Sequence, residues 1–325
     1  MRRTLHLLPC LFFLVTFGSH TARLQTPPDL FDFQSAFWVN LHNYLHALAR
    51  SGSPLVEPLP ESATAGEREQ WNAAVQQYRE RFGKRSLLFD DELVKANLAL
   101  SDVSGEESAA SAKIAGEHRG VLESAAPIYR KHRWKEHDAA NRLFISALAP
   151  LLNKHGGAMA KRLAATFDTT WPSRPIRVDV VHDAGPPGNA RTNSEPTHIT
   201  IAADDPRHQG LASLEVIFHE ASHKWDAILM KDVDDAARRL NVRPPPGLWH
   251  GLLFFNAGHI TAEALTAGGV RDYVMYMETQ RMFDRGYRGM RPAITTHWAE
   301  FLEGKVSRAE ATERILRDLP APVSK

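Results

Sequence analysis

From Phe33 to about Thr170, apolar residues recur every three or four positions, the spacing that gives a helix one buried face. Phe33, Phe37, Leu41, Leu45 and Leu48 mark a first helix, and the segments around Glu67 to Phe82, Asp91 to Leu100, Ala112 to His132 and Asp138 to Lys154 predict others. The pattern changes after Trp171-Pro172-Ser173. Ile176, Val178 and Val180 alternate with Arg177, Asp179 and Val181, which is the period of a strand. The stretch from Gly185 to Ser194, rich in Gly, Pro and Asn, reads as a loop; Thr197 to Ala202 reads as a second strand, and Asp204-Asp205-Pro206 as a turn. Beyond that turn Leu214, Ile217, Phe218, Ala221, Trp225, Ile228 and Leu229 fall on one stripe of a helix. Ser307 and Glu310 match a capping box that opens a final helix. The expected fold is mainly α with a small β-sheet, an α+β arrangement. A helical region over 23–173 precedes a second region over 174–325 that carries the sheet and C-terminal helices.

Composition adds a compartment. Arg2 and Arg3 precede an apolar run from Leu5 to Phe17, too short for a stable membrane span, and Gly18, Ser19, Thr21 and Ala22 supply small residues for cleavage. Residues 1–22 therefore read as a signal peptide, and the protein as exported, periplasmic or secreted. Cys10, the single cysteine, lies inside that apolar run, so the remaining chain is stable without disulfides. Roughly 300 residues suffice to bury such a core. With 39 basic and 38 acidic residues the net charge is +1, which argues against a nucleic-acid partner or a membrane surface. No low-complexity tract or repeat period divides the chain.

The polar side of the helix beyond the turn carries His219-Glu220-Ala221-Ser222-His223. Two imidazoles four residues apart rise from one helix face and can close on a single metal ion, with Glu220 between them placed to activate water. Asp226 follows His223 by three residues, near enough to orient its imidazole.

A strand, a turn and then a helix bearing His-Glu-x-x-His resemble the zincin metallopeptidases. The resemblance spans about Ile176 to Leu265. It implies an active-site helix beside a short sheet, and a sheet edge, here matched to His198 to Ala202, that receives an extended substrate. Lys224 departs from the pattern, since zincins usually carry an uncharged residue directly after the second histidine. Asp226 and Leu229 stand where the metzincin subgroup has glycine and histidine, which excludes that subgroup. The whole chain also resembles a family of uncharacterised exported bacterial proteins. The shared blocks are His137-Asp138-Ala139-Ala140-Asn141, Pro196-Thr197-His198-Ile199-Thr200, the His219 motif and Leu248-Trp249-His250. In that family the position of His259 is often a glutamate.

A zinc ion with an open coordination position needs a third protein ligand. His250 stands at the start of a helix entered through Pro244-Pro245-Pro246-Gly247, while His259 and Glu263 form an i,i+4 pair further along. His250 and His259 are nine residues apart and so face opposite sides of that helix. His250 is favoured as the ligand, with His259 and Glu263 as competitors. One zinc per chain is preferred over iron, because the motif glutamate is assigned as base and leaves no carboxylate for a facial site. Tyr273, Tyr276 and His297 are candidate donors to a developing oxyanion.

Other histidines read as structural. His42 and His46 belong to an ordinary amphipathic face, and Asp138 beside His132 and His137 reads as a helix cap with a weaker claim to substrate contact. The sequence thus points to an exported zinc hydrolase, a metallopeptidase acting on a peptide or another small amide or ester. Its competitors are a zincin-like protein that binds zinc or a ligand without turnover, and a helical binding module in which the motif is fortuitous.

Overall fold

Four strands form one mixed sheet in the computed structural model, which describes residues 30–50, 58–186 and 188–319. They are β1 (Phe31–Gln34), β2 (Ile176–Val181), β3 (Ala190–Ser194) and β4 (Thr197–Ala202), in the spatial order β1-β2-β4-β3. β1 and β4 flank β2 in parallel, and β3 pairs with β4 antiparallel. The rest is helical, so the chain is α+β with a small sheet, as the hydrophobic pattern predicts. The predicted signal peptide lies outside the described residues. Among those residues no helix is long and apolar enough to cross a membrane.

Helices cover both faces of the sheet. On one side are α1 (Phe37–Ala49), α2 (Ala65–Phe82), α3 (Asp91–Ser101) and α4 (Gly116–Tyr129), which share a core with Val181 and Ala202. On the other side α5 (Lys135–Leu151) and α6 (Gly157–Thr166) join α7 (Leu211–Ser222), α8 (Asp226–Leu240) and α9 (Leu248–Ala267). These pack on Ile176, Val178, Val180, Ile199 and Ile201, the alternate residues of β2 and β4. Period-two alternation sends each set of side chains to its own core. The second core runs across residue 173: Phe144, Leu148, Met159 and Leu163 lie in it with Leu214 and Leu252. Four short helices, α10 (Tyr276–Thr279), α11 (Met282–Arg285), α12 (Arg291–Ala293) and α13 (Ala299–Leu302), lead to α14 (Arg308–Asp318). Ser307 caps α14 through Glu310 N–H, and the reciprocal capping box is found at Thr64 and Glu67 of α2.

Four expectations are corrected. Phe33 lies in β1, not in the first helix, because Phe31 and Phe33 serve a strand that pairs with Ile176 and Val178. The stretch Gly185 to Ser194 ends in β3, whose polar sequence Ala-Arg-Thr-Asn-Ser hides its alternation. Consequently His198 to Ala202 is an interior strand, and the edge beside it is β3. The apolar stripe from Leu214 to Leu229 is also not one helix: α7 stops at Ser222, a 3-10 turn spans His223–Trp225, and α8 restarts at Asp226. Both sides of α7 are covered, so Ser213 to Ser222 are all buried. Gly258 allows α9 to lie close against α7, since a Cβ there would stand 2.9 Å from Glu215 Oε1 and 3.0 Å from Met275 Sδ.

Candidate metal centre

α7 ends at the motif, so His219 and Glu220 occupy its last turn while His223 sits in the 3-10 turn that follows. α9 enters from the Pro-Pro-Pro-Gly segment with Gly247 in the left-handed region (φ 76°), a conformation that costs glycine little. That bend places His250 in the first turn of α9, facing the end of α7. His219, His223 and His250 converge so that one ligand atom from each lies within 4.8 Å of the others. The three imidazoles can hold a metal ion, and no other such trio is found among the described residues.

The donor set fits an ion. His250 Nε2 lies 3.4 Å from His219 Nε2. Two nitrogens each about 2.1 Å from a tetrahedral ion stand roughly 3.4 Å apart. Asp226 holds His223 Nδ1 at 3.0 Å, and the Tyr287 hydroxyl holds His250 Nδ1 at 3.2 Å. With their Nδ1 atoms engaged, both rings keep Nε2 for the centre. Phe254 stacks on the His219 ring at 3.6 Å and 13°, and Trp249 on His250 at 5.0 Å, which fixes both ring planes.

The electrostatics favour neutral ligands at two of the three positions. Burial pushes His219 well below its ordinary value, and the His223 and His250 charges add to this. Burial likewise pushes His250 down to about 3, with His223 adding to it. At His223 burial also lowers the pKa, but the carboxylates of Asp226 and Glu220 outweigh it and leave the value raised. Burial raises Glu220 against the opposing pull of His223, Thr192 and Arg191. The Thr192 hydroxyl is 2.7 Å from Glu220 Oε2.

His259 and Glu263 stand away from the centre, as their half-turn offset from His250 requires. His259 Nε2 pairs with Glu263 Oε1 at 3.2 Å, and Glu263 Oε2 accepts from Arg162 of α6. The three candidate oxyanion donors separate cleanly. Tyr273 donates to Glu215 Oε2 at 2.6 Å, and His297 pairs with Asp318 at 2.6 Å. Tyr276 lies nearly parallel to Phe254, 6.3 Å away, on the ring that stacks on His219, and burial raises its phenol, with smaller effects from Arg207, Asp205 and Glu220. Its hydroxyl has no hydrogen-bond partner among the described residues. Lys224 is exposed and touches no ligand.

The histidines read as structural are packed more deeply than an amphipathic face implies. All of α1 is buried, and His42 Nδ1 meets the Tyr78 hydroxyl, which in turn meets His118 Nε2. His46 Nε2 bonds to the Arg85 carbonyl. His137 stacks on His182 at 3.9 Å and bonds Tyr129, while His132 pairs with Glu67. Asp138 lies inside α5 and pairs with Arg142, so it is not a cap.

Thr192, Phe254, Tyr287 and Glu215 are the residues around the centre that sequence reasoning missed. Thr192 carries the one β-branched side chain of β3, the only local sign of a strand there. Comparison of the chain with protein-family models, curated proteins and solved structures finds no match.

Proposed function

We propose that the chain is an exported zinc-dependent hydrolase of the zincin type, with a peptide or another amide as substrate. The observation that carries the reading is the buried Glu220 carboxylate, which lies in sequence between two of three converging imidazoles, acts electrostatically on His223 and is not itself one of the trio. A purely structural site is closed by a fourth ligand and has no use for a base.

A zinc ion in such a site acidifies water and polarises a carbonyl group. Glu220 takes a proton from the attacking water as the new carbon–oxygen bond forms, and passes it to the leaving nitrogen as the carbon–nitrogen bond breaks. Tyr276 is the donor assigned to the developing oxyanion. The β3 edge supplies a place for the substrate backbone. Ala202 N–H donates to Asn189 O at 2.9 Å, and bonded pairs alternate along an antiparallel ladder. Arg191 and Asn193 therefore bond to β4, while Ala190 and Thr192 turn their peptide groups away from β4, the direction from which an extended chain would pair.

The test is Glu220→Gln with zinc content measured beside hydrolysis of a peptide library. The variant is expected to keep about one zinc per chain and to lose about a hundred- to ten-thousand-fold in rate. Loss of metal together with activity would assign Glu220 as a ligand, and a wild-type protein without zinc would refute the reading.

A further inference from the structure

Thr192 faces two ways. Its peptide group turns away from β4, and its side chain turns to α7, on the same face of the sheet as its register partner Ile199. There its hydroxyl lies 2.7 Å from Glu220 Oε2 and 2.9 Å from the Glu220 main-chain oxygen. The hydroxyl has one proton, so it donates to one of these acceptors at a time. No other hydrogen bond to the Glu220 carboxylate exists among the described residues. Thr192 and Glu220 are both buried, at 8% and 6% exposure, so water competes little for the contact.

The strand that carries Thr192 is locked from its far face. Arg191 sends a buried guanidinium between α1 and α3, where Nη2 donates to Asn43 Oδ1 at 2.7 Å and Asn97 Oδ1 at 3.2 Å, and Nη1 bonds to the Ala184 carbonyl. The hydroxyl is thus held by a backbone that cannot drift without breaking three buried hydrogen bonds. A group so anchored fixes whatever it holds.

We propose that Thr192 is a positioning residue, which sets the Glu220 carboxylate from an edge strand of the sheet. This rests on the hydrolase reading for its consequence in rate, but the placement of the carboxylate does not. Serine at this position keeps the hydroxyl, and valine keeps the shape without it. Misplacing a catalytic group by about 1 Å costs roughly a hundredfold in rate.

The experiment compares wild type, Thr192→Ser, Thr192→Val and Glu220→Gln as purified zinc-loaded proteins, by peptide hydrolysis, zinc content and crystal structure. Thr192→Val is expected to lower kcat by about ten- to a hundredfold with KM within about twofold and zinc retained, and Thr192→Ser to stay within about threefold of wild type. The crystal structures are expected to show the carboxylate in place with serine and turned away with valine. Unchanged kcat and an unmoved carboxylate in Thr192→Val overturn the proposal. If wild type and Glu220→Gln are equally inactive, the hydrolase reading fails, while the carboxylate position in the variant crystals still decides whether Thr192 sets it.

Discussion

His223 Nδ1 lies 3.0 Å from both carboxylate oxygens of Asp226, so the first residue of α8 grips the ring that closes the turn after α7. The break between the two helices and the orientation of a candidate ligand are one feature. Asp226→Ala is expected to lower zinc affinity by about ten- to a hundredfold while leaving one zinc bound at saturation. Competition with a chelator of known affinity measures it, and an unchanged affinity would mean that the contact orients nothing.

The two histidines of α9 separate by role. His250→Ala is expected to lower zinc affinity by more than about a hundredfold, whereas His259→Ala, which loses a half-exposed pair with Glu263 and a ring contact with Phe255, stays close to wild type. Circular dichroism of both variants guards against unfolding. The reverse order of affinities would place the third ligand on the His259 and Glu263 face.

Tyr276→Phe removes a hydroxyl and no packing. If that hydroxyl meets the oxyanion, kcat falls by about a hundred- to a thousandfold with zinc content unchanged. Steady-state kinetics showing a change in KM alone would assign Tyr276 to substrate binding instead.

Glu215 yields a pH dependence. Burial holds its carboxyl at about 7 against an ordinary value of 4.5, although the Tyr273 hydroxyl and Tyr276 N–H pull the other way. Between those values the folded protein keeps a proton that the unfolded chain releases. Its contribution to stability is therefore present below about 4.5, declines as pH rises to about 7, and is then gone, a difference on the order of 3 kcal/mol. Glu215→Gln keeps an acceptor for both donors and cannot ionise. Urea unfolding of wild type and variant is expected to show the variant gaining relative stability from pH 5 to pH 8, and a constant difference would refute the assignment.

The hydrophobic pattern carried α1 to α5, β2 and β4, because each buries a face whose period survives in the sequence. It failed at β1 and β3 for different reasons. Phe33 continues the apolar spacing of α1, so a strand and a helix merge into one run. β3 is polar on both faces, since Arg191 and Thr192 each reach a buried polar partner where a strand ordinarily buries hydrocarbon. The motif histidines were legible from spacing alone, and His250 from its position after a constrained entry. Tyr287 and Phe254 were not, because what makes them part of the centre is the crossing of α9 and the α11 region over α7, which no local pattern encodes.

The pairing of Phe31 with Ile176 also sets an order of events. The strand made first has its partner made only after six helices have been synthesised, and parallel neighbours cannot be joined by a tight turn. Helices α1 to α4 can form early from local contacts, and β2, β3 and β4 are close in sequence, whereas β1 joins the sheet only by a long-range step whose loop-entropy cost comes before any reward. That four-residue strand reaches the metal centre through one contact: the Phe31 ring meets Phe218, the residue before His219, edge-on at 5.5 Å, so what closes the sheet also braces the helix end that carries the first imidazole.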